Sequence, residues 1–360
     1  MPQLCEPETS APAGLEIACP VCGSTDTTLR YAACRDLLYP TPGEFSLRTC
    51  RRCDVLFCYP QITPDQFDTY YLASYYPTAE QILHRQEARS LANRIKFGLL
   101  RRFWGAGHPR GLAGDAIRRA ASVFSSYMQI APTLTGHGRL LEVGCSSGEK
   151  ICFVRHYGWQ ADGIEPSHDA SAEARKLGID VQACPLEEAN LPPGYYDVIE
   201  LSHVFEHLSD PAKCIAKLRD ALTPGGRILL NLPNGDSLGH KLFGRAWRGL
   251  EVPRHYGVYS RRSLEKLCRS MGLKVNNVRG LLAPEVIVGS MKFAMREKRP
   301  RAVSSFTAPT NLHQCGSGYH PERRLRYIAG QAFRVALAIA LLPPAALGMA
   351  EVIQVEIVKP

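Results

Sequence analysis

Residues 140–150, Leu-Leu-Glu-Val-Gly-Cys-Ser-Ser-Gly-Glu-Lys, constrain the fold more than any other stretch of this chain. An apolar run ends in an acid, then in small residues, and a helical pattern follows. That order predicts a buried strand, a tight turn and a helix N-terminus, a common seat for a nucleotide-like ligand. Gly144 lets the backbone turn sharply and approach a ligand, and Gly148 lets the next helix pack close. A dinucleotide fingerprint would need its second and third glycines at Ser146 and Glu149. Glu149 would then set a negative charge where a pyrophosphate sits, which argues against that ligand class.

S-adenosylmethionine (SAM) carries no phosphate and tolerates the acid. Its methionine ammonium can be attracted by Glu142 directly or through water. Twenty-one residues beyond Gly144 stands Glu165, within Gly163-Ile164-Glu165-Pro166-Ser167. A carboxylate there can accept hydrogen bonds from both ribose hydroxyls. Together with YYDVIELSHVFEHLSDP (195–211) and LTPGGRILLNLPN (222–234), these stretches resemble class I SAM-dependent methyltransferases across residues 139–280. The resemblance extends to bacterial members with an N-terminal zinc ribbon, associated with glycan and secondary-metabolite pathways.

The resemblance implies an α/β fold with a Rossmann-like seven-stranded sheet. It implies a SAM seat built from Glu142, Gly144, Cys145, Ser146, Gly148, Glu165 and Pro166. Leu186 and Glu187 would reach the adenine, while Ser202 and His203 line the methionine and reaction region. Ser146 stands where many members have Gly, and Cys184 where Gly or a polar residue is usual. Strands are predicted at 139–143, 160–165, 179–183, 196–202, 226–232 and 273–279. A last strand over 351–358 should insert antiparallel beside the sixth. Helices are predicted near 147–157, 168–177, 210–222 and 261–271.

Ahead of the core, Cys19-Pro-Val-Cys22 and Cys50-Arg-Arg-Cys53 form two knuckles separated by 27 residues. Four thiolates at this spacing can close a tetrahedron around a structural zinc. Thirteen cysteines with no basic-then-apolar leader point to a reducing, cytoplasmic compartment. The expected organisation is a disordered tail over 1–18, the ribbon over 19–60, and a linker with helical segments over 61–131. The methyltransferase core follows over 132–360, with an insertion at 281–350. Within that insertion, 335–350 is sixteen residues without a charge, slightly short for a bilayer span. It reads as a helix packed on the core or as an interfacial surface.

The net charge of +9 is concentrated. Residues 81–130 hold nine Lys/Arg against two acids, and 291–330 hold eight against two. These basic stretches suit a solvated face, an anionic or lipid-linked acceptor, or peripheral contact with the inner face of a membrane. No aromatic-interleaved basic motif argues for nucleic acid. Nothing in the sequence sets the oligomeric state.

Methyl transfer needs positioning above all, and a hydroxyl acceptor also needs a base. The candidates are His203 and His207, in His203-Val-Phe-Glu206-His207, and His255, in Pro253-Arg-His-Tyr256. His255 lies on a loop that the resemblance puts at the active-site mouth, and it is the favoured base. Trp247 and Arg254 are weaker candidates for acceptor binding. The H-x-x-E-H spacing resembles a metal motif but lacks a third ligand in the sequence, so it is not read as a metal site. The expected acceptor is a hydroxyl on a glycan, a lipid-linked molecule or a small metabolite. Quinone-type or natural-product O-methylation, sugar C-methylation, and a SAM-binding scaffold whose ribbon recruits a partner are the alternatives.

Overall fold

The computed structural model describes residues 16–86, 137–297 and 333–359, apart from 40, 64–65, 71–75, 157, 282, 334–335 and 338–339. Most of the segment 61–131, where helical segments are expected, and most of the tail and insertion lie outside these residues. Within that segment the described residues include α1 (Ala79–Gln86).

The chain builds two sheets. The N-terminal one holds β1 (Thr27–Cys34), β2 (Phe45–Cys50) and β3 (Leu56–Tyr59), paired antiparallel. The large sheet opens with β4 (Arg139–Val143), followed by α2 (Glu149–His156). Next come β5 (Gln160–Ile164), α3 (His168–Lys176) and a short β6 (Val181–Gln182). The second half runs β7 (Tyr196–Ser202), α4 (Pro211–Ala221), β8 (Leu222–Pro233) and α5 (Leu238–Phe243). It continues with β9 (Gly257–Val258), α6 (Arg261–Ser270) and β10 (Lys274–Leu281). It closes with α7 (Pro284–Glu297), α8 (Leu342–Ala346) and β11 (Val352–Val358).

The seven-stranded order is β10-β11-β8-β7-β4-β5-β6. Strands β8, β7, β4, β5 and β6 pair in parallel, and β11 runs antiparallel between β8 and β10. The order reverses between β4 and β7, so a crevice opens at their carboxyl ends. Alternate residues of the central strands serve opposite faces. Leu141, Val143, Ile199 and Leu201 face α4 and α6 on one side. Leu140, Val198 and Leu229 face Ile151 and Val154 of α2 on the other.

Helix starts follow local chemistry. Asp210 accepts from the Lys213 N–H with Pro211 in the first turn, and Ser260 and Ser263 cap α6 reciprocally. Strand β8 is longer than predicted, because it begins at Leu222 and pairs with β7 across a bulge beside Thr223-Pro-Gly-Gly226. In the apolar stretch before β11, Leu341 and Ala345 are buried with Ile287 of α7. No helix among the described residues is long and apolar enough to cross a membrane.

The ribbon and the core share their packing. Ile17, Val21, Val55 and Phe57 belong to the same buried cluster as Leu264 and Leu267, so ordered packing begins before Cys19. Strand β9, contributed by the core, completes the N-terminal sheet by pairing with β3. Between the two units lies a buried ion pair. Arg254 forks onto Asp36, with Nη1–Oδ2 at 2.5 Å and Nη2–Oδ1 at 3.1 Å. Asp36 also accepts from the Leu38 and Tyr39 N–H groups and the Thr41 hydroxyl. Removing one partner of such a pair strands the other charge in the interior. Asp36→Ala is therefore expected to lower stability by about 3–5 kcal/mol. Urea unfolding read by two probes, thiol reactivity of the N-terminal cysteines and core fluorescence, should show one shared transition shifted down.

Candidate active site

The glycine turn after β4 has the geometry its residues require. Gly144 sits at φ +70°, and a Cβ there would lie 2.4 Å from Val204 Cγ2. Gly148 sits at φ +82°, where a Cβ would meet Ile179 Cδ1 at 2.2 Å. Ser146 adopts φ +52°, a left-handed conformation unusual for a residue with a side chain. The Glu165 carboxylate organises the turn from the end of β5. It accepts from the Ser146 N–H at 2.8 Å and the Ser167 N–H at 2.9 Å. Burial raises its pKa, and the two backbone donors oppose that rise.

Glu142 is not alone beneath the turn. Lys150 of α2 lies 3.0 Å from Glu142 and 2.9 Å from Glu200, which occupies the matching register position on β7. Glu200 accepts from Asn231 at 3.0 Å, and Asn231 accepts from Gln354 at 3.0 Å. A buried polar chain thus runs across β4, β7, β8 and β11 on one face. Burial pushes Glu142 up to about 7, opposed by Lys150 and aided by Glu200. Its Oε2 is buried with no hydrogen-bond partner among the described residues. The sequence reading missed Lys150 and Glu200. The available signal was an acid inside a parallel strand, where an unbroken apolar run is expected.

Pro166 is exposed beside Glu165, and Ser202 is half-buried at the end of β7. Leu186 is buried. Glu187 turns its carboxylate toward α4, where Cys214 Sγ lies 3.5 Å away. Cys145 is buried with its thiol against the Ser146 carbonyl.

The three candidate histidines converge after β7. His203 adopts φ +55° and donates its N–H to the Asn231 carbonyl at 2.8 Å. Its Nδ1 is 3.2 Å from Glu206 Oε1, and its side chain is 54% exposed. Burial works against the charged ring, yet the Glu206 hydrogen bond and charge outweigh it and raise the pKa. His207 and His255 form an edge-to-face pair at 4.7 Å. Burial above all lowers both to about 4.

His255 differs from its expected place. It is 5% exposed, and its Nδ1 donates to the Gly249 carbonyl at 2.8 Å, so it sits behind His207 and not at an open mouth. Arg254 and Trp247 are likewise buried, Arg254 on Asp36 and Trp247 donating to Glu351 at 2.7 Å.

The four ribbon thiols cluster with Cys19–Cys53 and Cys22–Cys50 sulfurs each 3.6 Å apart. A tetrahedral zinc with bonds of about 2.3 Å needs sulfurs about 3.8 Å apart. The cage fits zinc, and donation from Cys53 holds Cys19 down at about 5.

Comparison with known proteins agrees with the geometry. The methyltransferase-domain family matches residues 115–278. Over those residues the chain is similar to methyltransferase domains. An O-methyltransferase of ubiquinone biosynthesis from Bordetella bronchiseptica is 32% identical over 113 residues, covering 29% of this chain and 46% of that protein. An uncharacterized 37.1 kDa transposon protein of Streptomyces fradiae is 26% identical over 164 residues, covering 43% and 44%. This chain therefore spans less than half the length of these relatives. A SAM-dependent methyltransferase structure from Thermotoga maritima covers 78% of this chain and all of its own, at 16% identity and a TM-score of 0.40.

Lys150 separates two buried acids, so its loss has a definite sign. Glu142 at about 7 lies above its ordinary 4.5, so the folded state keeps a proton that the unfolded chain releases. That contribution to stability is lost as pH rises from 4.5 through 7. Lys150→Met should raise the Glu142 pKa further and cost about 3–5 kcal/mol at alkaline pH. Urea melts should show the deficit shrinking as pH falls toward 6, because the protonated acid no longer needs the cation.

Proposed function

We propose that this methyltransferase acts on a hydroxyl of a small acceptor, whether a glycan, a lipid-linked molecule or another metabolite. The supporting observation is the contact between the glycine turn and the segment after β7. Gly144 abuts Val204, the neighbour of His203, which supports a reading in which His203 would lie near a SAM held at the glycine turn. When bound, SAM supplies a methyl group on a sulfonium, already activated for in-line displacement. Glu165 suits the ribose hydroxyls, and the unpartnered Glu142 Oε2 suits the methionine ammonium. Gly144, Cys145, Ser146, Gly148 and Pro166 would frame this seat, Leu186 and Glu187 its adenine end, and Ser202 its methionine end.

His203 is the best base. Glu206 orients its Nδ1 while the ring opens to solvent, so it can accept the hydroxyl proton as the methyl moves. His207, half-buried, and His255, buried, are held low by desolvation and are poor proton acceptors near neutrality. A quinone-type acceptor is a second reading, favoured by the names of the O-methyltransferase relatives. Cys19, Cys22, Cys50 and Cys53 would hold a structural zinc, with the ribbon over 19–60 and the core from 132. The described cysteines are free thiols, which suits a cytoplasmic chain working near the inner membrane face.

Transfer of labelled methyl from SAM to an acceptor panel tests the reading. His203→Ala should lower turnover roughly 100-fold or more with SAM affinity unchanged by calorimetry. Glu165→Ala should instead weaken SAM roughly tenfold or more. Full turnover in His203→Ala would place the base elsewhere. No methyl transfer to any acceptor would favour the scaffold reading. Zinc should co-purify with the native chain and be lost from Cys19→Ser.

A further inference from the structure

Three charges are buried together beneath the glycine turn, and they do not balance. Lys150 Nζ lies 3.0 Å from Glu142 Oε1 and 2.9 Å from Glu200 Oε1. The two acids hold paired positions on the parallel strands β4 and β7, so the register that builds the sheet also brings them together. The Glu200 side chain is fully enclosed, and those of Glu142 and Lys150 are nearly so. One ammonium cannot balance two carboxylates, and a like charge sharing a site disfavours ionising the second acid. The second oxygen of each acid is buried with no hydrogen-bond partner among the described residues.

The neighbours do not supply the missing positive charge. Glu165 from the end of β5 adds negative charge, and burial pushes the Cys145 thiol up, which keeps it neutral. Asn231 of β8 and Gln354 of β11 are uncharged. His203, from the segment after β7, has its charged form opposed by Lys150. Burial above all therefore keeps a proton on Glu142 up to about 7, with Lys150 opposing and Glu200 aiding.

We propose that Glu200 and Lys150 make the seat beneath the turn an exchanger, which gives up one proton from Glu142 as it takes the α-ammonium of SAM. The inference rests on the SAM reading above and adds to it a role for two positioning residues. Before binding, Glu142 is neutral and Lys150 cancels Glu200. The arriving ammonium brings a second positive charge, and the Glu142 proton passes to solvent. Two carboxylates then face two ammonium groups, and Glu142 Oε2 is freed to accept from the ligand. A ligand without the ammonium cannot displace the proton, so the same pair selects for an amino-acid end. Binding that releases a proton strengthens as pH rises. SAM affinity should thus increase roughly tenfold from pH 6 to pH 8 and level off above.

Calorimetry on the full chain, repeated in buffers of different ionisation heat, counts the protons released. At pH 6, SAM should release about one. S-adenosylhomocysteine, with the ammonium but no sulfonium, should release the same, and 5′-methylthioadenosine, which has neither, should release none. Glu200→Gln keeps an oxygen for Asn231 and removes the second negative charge, so it should bind SAM with most of the proton release and pH slope gone. His203→Ala should keep both. Infrared spectra of the ligand-free native protein should show a buried protonated carboxyl band that fades as pH rises through about 7 and is missing from Glu142→Gln. SAM binding without proton release between pH 6 and 8 would overturn the proposal and leave the SAM reading standing. Release with SAM but not with S-adenosylhomocysteine, unchanged release in Glu200→Gln, or no carboxyl band in the native protein would also overturn it. No SAM binding at any pH would overturn both.

Discussion

The Arg254 guanidinium, buried and forked onto Asp36, is the constraint on which the arrangement of the site depends. Burying two charges costs several kcal/mol, which only good geometry and further hydrogen bonds offset. Asp36 has both, since two backbone N–H groups and the Thr41 hydroxyl also point at it. Once the Arg254 side chain is held, its main chain is held too. Its carbonyl takes the His207 Nδ1 proton, and two residues on the Tyr256 N–H donates to the Glu206 carbonyl. The Tyr256 hydroxyl then reaches the Ile62 carbonyl, and its own carbonyl accepts from the Cys58 N–H. The N-terminal unit therefore behaves as a wall of the candidate site. Its sheet is completed by a strand from the core, and its aspartate sets where two histidines lie.

What was legible in the sequence was local. The strand, turn and helix at 139–156 follow from an apolar run, two glycines and a helical period, all within one short window. Glu165 could be placed because it ends the next strand. The two C-x-x-C knuckles carry their ligand geometry in their spacing. What was not legible required partners distant in the chain. Asp36 and Arg254 are 218 residues apart, and neither residue announces the other. Lys150 looked like an ordinary charged residue in a first helical turn. Its meaning appears only when β4 and β7 align Glu142 with Glu200 and leave the two acids sharing one cation.

His255 shows why a loop position is a weak guide to exposure. Loop residues usually lie at the surface and often carry chemistry, which favoured an accessible base. This loop is covered instead. Its carbonyls at Gly249 and Arg254 are spent on the two histidines, and its neighbours Leu250, Val252 and Tyr256 pack into the ribbon core. The accessible ring is His203, which precedes the helical turn at 205–207 and keeps half its surface open. Burial thus separates rings of the same chemistry. One is held toward its charged form by a carboxylate, and two are held neutral by desolvation.

The strained backbone positions tie these parts together. Ser146 and His203 both hold left-handed φ values that cost a residue with a side chain roughly 1 kcal/mol or more. Each is held through its main-chain N–H, which donates to the Glu165 carboxylate at Ser146 and to the Asn231 carbonyl at His203. Asn231 is also the link that joins Glu200 to Gln354 in the buried polar chain beginning at Glu142 and Lys150. The residue that positions the His203 backbone is therefore bonded, through Glu200 and Lys150, to the carboxylate beneath the glycine turn. A shift of Glu142 on meeting a cationic ligand would be felt at Asn231, and so at the ring beside that ligand. One buried network thus holds the ligand seat and the proposed base in a common frame.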